Sequence, residues 1–500
     1  MLPWQTAMTR TVILKPKKCV WLSLLLVFTL AAGGCLKATR PNLPRIFPPP
    51  EAQRQTGKNP VIVIPGILGS RLINRKTREQ VWPGIFLAQG DTLALPISSP
   101  RLAENTDDLA ATEIIETARL ARLIPEISVY DSLLLALERY GGYRRGSFDA
   151  PEADGDRDTF YVFAYDWRRD NVESARLLAQ KIARLKQQLH RPDLRFDLIA
   201  HSMGGLVARY YAMYGDRDLT TAATPQPDWS GARHLRRMIL LGTPNAGSMD
   251  ALRTLLLGYS LTEAHRPRVT LLNLLGREVT FTAPAVYQLL PHDGYARFLD
   301  AALSPIKLDI YDIATWRRWG WSVVFEEAFR EREQRALLKQ QGDSSSATAE
   351  GERLAAERER FLSAALARAA AFHRALDVAS TPPESLRLYL FGGDCEPTLD
   401  AAMIATIKGQ TLTLFRSGQA PGGREARRRA FQAMFSPGDG RVTRRSLFGL
   451  KMDPEANDSM TRAMKQHPFY ATFSCELHGD LPLNLTLQDN LLTVLLGNSY

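Results

Sequence analysis

The sequence predicts an α/β fold, a mostly parallel central sheet flanked by helices on both faces, with a large helical insertion. Three observations carry this. Short β-branched and aromatic runs alternate with helical patterns along most of the chain. One run ends in Ile199-Ala200-His201-Ser202-Met203-Gly204-Gly205, a strand–turn–helix sequence. Between Met249 and about Pro383 the strand rhythm stops and amphipathic helix takes over in the later part. Composition agrees with a globular chain. At 45% hydrophobic and 23% charged, its 500 residues are too apolar for disorder, and four Cys are too few for a disulfide scaffold.

The N-terminus is read apart from the fold. Arg10, Lys15, Lys17 and Lys18 precede the apolar stretch 19–32, and Gly33-Gly34-Cys35 follow, giving a signal peptide too short to span a membrane. The ending LAAGGC resembles the lipobox of bacterial lipoproteins, although Ala32 stands where Leu is commoner. The resemblance implies cleavage before Cys35 and lipid on its sulfur. Leu36 after the cysteine, rather than Asp, implies sorting to the outer membrane, so the expected location is the bacterial cell envelope, facing the periplasm. The Pro-rich stretch 41–50 reads as a stiff tether. Without the first 34 residues the chain holds 59 basic and 53 acidic residues, a net +6 that suits an anionic membrane surface and gives no reason to expect nucleic acid.

The runs at 61–64, 160–165, 196–200, 238–241, 386–391 and 470–475 read as buried strands, with Asp197 and Arg387 as charged exceptions. Helices are expected at 172–189 and 203–214. The stretch 72–126 is loop-rich. In 249–383 no strand is evident, and Leu354, Phe361, Leu362, Ala365, Ala369, Phe372 and Leu376 recur at mostly three- and four-residue spacing. A break at 342–348 suggests a helical hairpin, and an insertion between two late strands belongs over the sheet's C-terminal edge, as a lid. The expected organisation is a signal peptide 1–34, a lipidated tether 35–58, a first core part 59–248 containing the loop-rich insertion 72–126, a helical lid insertion 249–383, and a second core part 384–500.

Cysteine usage narrows further. Cys19 leaves with the signal and Cys35 carries lipid. Cys395 and Cys475 remain, each at or just past a strand end, as candidates for a disulfide in an oxidising compartment. No C-x-x-C pair, His-Glu-x-x-His run or phosphate-binding Gly-rich loop occurs, and no metal or cofactor is expected.

The chemistry centres on Ser202. In Ala200-His201-Ser202-Met203-Gly204 the turn strains the serine backbone, so its close neighbours must be small; Ala200 replaces the usual first Gly and Gly204 keeps the second. Met203 offers its backbone N–H at a helix N-terminus, a natural oxyanion donor. A second donor is expected after an early strand, where Pro65-Gly66-Ile67 makes Ile67 the candidate. An acid and then a histidine must follow. Of the histidines after every plausible acid, His467 precedes the last strand and His478 follows it, and a catalytic imidazole belongs after that strand. Asp394 and Asp439 compete as the acid, and position does not decide between them.

Six motifs occur in one order: IVIPGILGSRL, YDWRRD at 165–170, AHSMGG, GTPNAGS at 242–248, GDGRVTRRS at 438–446 and LHG at 477–479. Together they resemble the lecithin:cholesterol acyltransferase family, with lysosomal phospholipase A2 and bacterial α/β-hydrolase relatives, over 60–497 apart from the two insertions. The resemblance implies an α/β-hydrolase fold with Ser202 as nucleophile, Asp439 as acid through its Gly-Asp-x-x-Val setting, His478 as base, and Ile67 and Met203 as oxyanion donors. Lysosomal phospholipase has an acid at the position of Ile67, which does not titrate, so acidic-pH behaviour is not carried over. Asp166, Trp167 and Arg168 are read as structural support, and Trp82 as a candidate for the acyl pocket.

The expected function is acyl transfer on membrane lipid or phospholipid through a Ser202 acyl-enzyme. The alternatives are an esterase or lipase that only hydrolyses, and a lipoprotein scaffold without catalysis.

Overall fold

The computed structural model describes residues 57–84, 90–118, 127–219, 226–266, 273–292, 294–449 and 468–497. The signal peptide, Cys35, the Pro-rich tether and His467 lie outside them. The central sheet has seven strands: β1 (Val61–Ile64), β2 (Arg144–Arg145), β3 (Thr159–Val162), β4 (Phe196–His201), β5 (Leu235–Leu241), β6 (Arg387–Gly393) and β7 (Tyr470–Ser474). Their order is β7-β6-β5-β4-β1-β3-β2, and every neighbouring pair is parallel. All six apolar runs are strands, displaced by a few residues at their ends. Strand β2 gave no sequence signal because both its residues are exposed arginines.

Among the described residues the helices of nine residues or more are α1 (Asp131–Arg139), α2 (Asn171–Gln188), α3 (Met203–Tyr214), α4 (Met249–Leu257), α5 (Glu327–Gln341), α6 (Ser344–Leu376), α7 (Arg424–Met434) and α8 (Leu485–Leu496). The alternation of strand side chains explains why both sheet faces are covered. Ile62 and Ile64 pack in one core with Val172 and Leu178 of α2 and Leu206 and Val207 of α3. Val61 and Val63 point the other way, into a core with Leu133 and Leu137 of α1 and Leu487 and Leu491 of α8. Each such apolar side chain contributes about 1.5–3 kcal/mol on burial. Asp197, charged within β4, is buried opposite Arg237 of β5, whose guanidinium lies 2.9 Å from its carboxylate.

The stretch 249–383 departs from expectation. It contains short strands, and two of them, Arg297–Leu299 and Pro305–Ile306, join Ala401–Ile407 and Gln410–Leu414 in a separate four-stranded sheet. Leu252, Trp316, Phe361 and Leu366 share a core with Leu399, Met403, Phe415 and Met434. The excursions after β5 and after β6 therefore fold together, and the division of this region at 383 does not follow its core. Arg297–Leu299 pairs with Ala401–Ile407 across about a hundred positions and Pro305–Ile306 only with Arg297–Leu299, and strands this short leave no periodic trace in the sequence. The hairpin of α5 and α6 is present. Gly342 ends α5 at φ 72°, and the Asp343 side chain caps α6 by accepting from the Ser346 amide.

Cys395 and Cys475 are disulfide-bonded, with Cα atoms 5.2 Å apart. They lie just past Gly393 and Ser474, the last register pair of β6 and β7, so parallel pairing brings them side by side.

Candidate active site

Ser202 sits between β4 and α3 with φ 53° and ψ −126°, a conformation that L-residues avoid and that this turn imposes. Small neighbours make room for it. A Cβ added to Gly66 would lie 2.8 Å from the Ser202 Cβ, so the turn after β1 approaches the serine as only glycine allows. Ser202 is 6% exposed.

Three groups far apart in sequence meet here. The Ser202 hydroxyl donates to His478 Nε2 at 2.7 Å, and His478 Nδ1 donates to Asp439 Oδ2 at 2.8 Å. The other Asp439 oxygen accepts from the amides of Arg441 (3.0 Å) and Val442 (2.7 Å). The His478 amide in turn donates to the Asp439 carbonyl at 2.8 Å. The turn 438–442 thus fixes the carboxylate before the histidine reaches it. Gly242, at φ 58°, lies over this pair: a Cβ there would come 3.1 Å from His478 Nδ1 and 3.2 Å from Asp439 Oδ2. Asp394 is elsewhere, facing Arg444 at 3.7 Å and one-third exposed. Geometry therefore separates the two acids that position left level.

Sequence reasoning missed the polar network behind the serine. The Tyr130 hydroxyl accepts from the Gly66 amide at 2.9 Å and bonds His201 Nδ1 at 2.7 Å, while His201 Nε2 lies 3.0 Å from the His478 carbonyl. A carbonyl only accepts, so Nε2 of His201 carries the proton and Tyr130 donates to Nδ1. Burial, reinforced by the neighbouring His478, pushes the His201 pKa down to about 3 and keeps it neutral. His201 is legible as the residue before the serine, but Tyr130 stands at the N-terminus of α1 with no motif around it.

A cavity of about 370 Å³ opens on Ser202 and His478. Its apolar wall includes Leu68, Trp82, Ile115, Val129, Leu261 and Leu274. Trp82 is held by its indole N–H donating to the Leu68 carbonyl at 2.8 Å and by edge contact with Trp167. Ile67 lines this cavity and a second, of about 50 Å³, that also reaches Ser202 and His478. Among the described residues neither α5 nor α6 lines either cavity. The C-terminal end of α6 instead packs on the core helices, Phe372 stacking on Tyr210 of α3.

Charged groups frame the site without touching the serine. Asp250 takes the guanidiniums of Arg253 (2.8 Å) and Arg441. Burial pushes its pKa up, but the two arginines outweigh that and hold it below the usual carboxylate range. Arg168, fully buried, forks between Asp107 (2.6 Å) and Asp166 (2.8 Å) and donates to the Leu93 carbonyl. It ties the loop-rich insertion to the sheet, as structural support.

The model of the lecithin:cholesterol acyltransferase family matches residues 124–317. No curated protein matches the chain. Among solved structures, a chain from the crystal structure of the Tle4–Tli4 complex superposes with a TM-score of 0.52 at 16% identity, covering 88% of this chain and 98% of that one. That likeness is one of fold. The match agrees with the family resemblance over the part of the chain that holds YDWRRD, AHSMGG and GTPNAGS, and the architecture is that of an α/β-hydrolase fold.

Proposed function

We propose that this protein transfers acyl groups between lipids through a Ser202 acyl-enzyme. The observation that carries the proposal is the unbroken hydrogen-bond chain from Ser202 through His478 to Asp439 at the end of an apolar cavity. His478 takes the Ser202 proton as Oγ attacks the ester carbonyl, and Asp439 holds the Nδ1–H tautomer and steadies the imidazolium. The amides of Ile67 and Met203 are the proposed donors to the oxyanion. The leaving alcohol takes the proton from His478, and the acyl chain stays on Ser202 with Trp82 in the pocket wall. An incoming hydroxyl then gives its proton to His478 as it attacks the acyl carbonyl, and His478 returns a proton to Ser202 Oγ as the new ester leaves. Lipid on Cys35 is proposed to hold the chain at the outer membrane, facing the periplasm, where acyl donors and hydroxyl acceptors are concentrated.

Hydrolysis is the second reading, since water can take the acceptor's place on the same triad. The apolar wall of the cavity favours a lipid acceptor, because a dry site slows water while a positioned alcohol gains an effective molarity of roughly 10⁵ M or more. The test uses phospholipid vesicles with a labelled acyl chain, with and without a long-chain alcohol or sterol. Ester rising while free fatty acid falls as acceptor is added supports transfer. Fatty acid alone, with every acceptor, makes the protein a lipid hydrolase.

A further inference from the structure

Helix α7 reads Arg-Glu-Ala-Arg-Arg-Arg-Ala-Phe-Gln-Ala-Met. Ala430 and Met434 are buried, and Ala426 and Ala433 half-buried, so one narrow small-residue face meets the protein. On the outward face, at spacings of seven, four and three residues before Phe431, stand Arg424, Arg427 and Arg428, with Arg429 beside them. All four arginines are exposed. Glu425 pairs with Arg428, while Arg424, Arg427 and Arg429 make no ion pair among the described residues. Phe431 is 38% exposed in their midst and stacks on Phe435 at 5.0 Å. Over 416–434 the chain holds five arginines and a single acid. Exposed apolar surface ringed by uncompensated arginine is costly in water and favourable at an anionic lipid surface, where the guanidiniums meet phosphates and the ring enters the headgroup layer.

The helix also stands next to the chemistry. Four residues, Phe435–Gly438, separate its end from Asp439. Phe435 meets the ring of His265 edge-on at 6.4 Å, two residues beyond Glu263 in the cavity wall.

We propose that the outward face of α7 docks the protein on an anionic lipid surface beside the cavity that receives the substrate. This deepens the lipid-acting reading and rests on it for its purpose, but the binding is measurable without any catalysis. The experiment takes the full chain carrying Cys35→Ala, so that a lipid anchor does not mask the effect, and floats it with phosphatidylglycerol/phosphatidylcholine or pure phosphatidylcholine vesicles. Binding is expected on the anionic vesicles, much weaker at about 0.5 M than at about 0.1 M salt. Reversing three charges (R424E/R427E/R429E) should weaken it about a hundredfold, with hydrolysis of a soluble short-chain ester unchanged. The emission of a Phe431→Trp variant should shift to the blue with anionic vesicles only, a readout that does not depend on the triple variant folding.

Equal binding to both vesicle types, binding retained in the folded triple variant, or unshifted emission from the Phe431→Trp variant would each overturn the proposal. Single-stranded oligonucleotide that displaces anionic vesicles and loses binding in the triple variant would do so too, by assigning the face to nucleic acid. If no ester is cleaved yet vesicle binding behaves as stated, the catalytic reading fails and the docking surface stands.

Discussion

The Nε2–H of His201 donates to the backbone carbonyl of His478, 3.0 Å away, so the residue before the candidate nucleophile holds the main chain of the candidate base. Through Tyr130 the same imidazole reaches the Gly66 amide in the turn that leads to Ile67. One neutral histidine thus joins three loops of the site: those after β1, β4 and β7.

That neutrality makes stability depend on pH. An exposed histidine titrates near 6.5, whereas folded His201 does so at about 3. Below pH 6.5 the unfolded chain binds a proton that the folded chain refuses. The contribution of His201 is therefore complete above pH 6.5 and is lost as pH falls toward 3, by about 2 kcal/mol at pH 5. Denaturant titrations at pH 7 and pH 5 should show a loss smaller by about that amount in His201→Gln than in the parent. Equal losses would contradict the buried neutral imidazole.

Tyr130→Phe keeps the ring and removes the hydroxyl, leaving the Gly66 amide and His201 Nδ1 without their partner. A loss of about 1–3 kcal/mol in stability is expected, because both stranded groups are buried. Turnover should fall as well, since the Ile67 amide follows directly on the freed turn. An unchanged melting temperature and unchanged turnover would show that the network does no positioning.

A fluorophosphonate should label Ser202 in the parent. Ser202→Ala should abolish labelling, and His478→Ala should slow it by roughly 10³-fold or more. Labelling that persists in Ser202→Ala would remove the serine from the mechanism.

Asp439→Asn should lower turnover by about 10³–10⁴-fold, because the imidazole loses control of its tautomer. Asp394→Asn, at the surface beside Arg444, should leave turnover within about twofold. Steady-state kinetics on one soluble ester decide this, and the reverse ranking would move the acid to Asp394.

The Cys395–Cys475 bond closes a separation of 80 residues. Loop-closure entropy alone makes it worth about 4.5 kcal/mol. Cys475→Ser should unfold at correspondingly lower denaturant, and non-reducing peptide mapping of the parent should recover the linked pair. Two freely alkylated thiols in oxidised material would refute the linkage.

Much of this was written locally. Buried parallel strands are continuous apolar runs, so β1, β4 and β6 announce themselves, and α3 begins where the Ser202 turn ends because small residues permit that turn alone. Local pattern carried every strand of the central sheet but β2, its helical cover, the strand–turn–helix at Ser202 and the ordered motifs of the family resemblance. Position left Asp394 and Asp439 level, since both follow β6 and both stand near glycines, and only the Gly-Asp-x-x-Val resemblance pointed to Asp439. Folding brings Asp439 to His478 and leaves Asp394 beside Arg444, because a hydrogen bond depends on where two chain segments arrive in space, and the turn 438–442 arrives against the loop after β7. The same holds for Tyr130 on His201 and for the small sheet shared by 297–306 and 401–414, contacts across long stretches of chain that leave no period for a sequence to display.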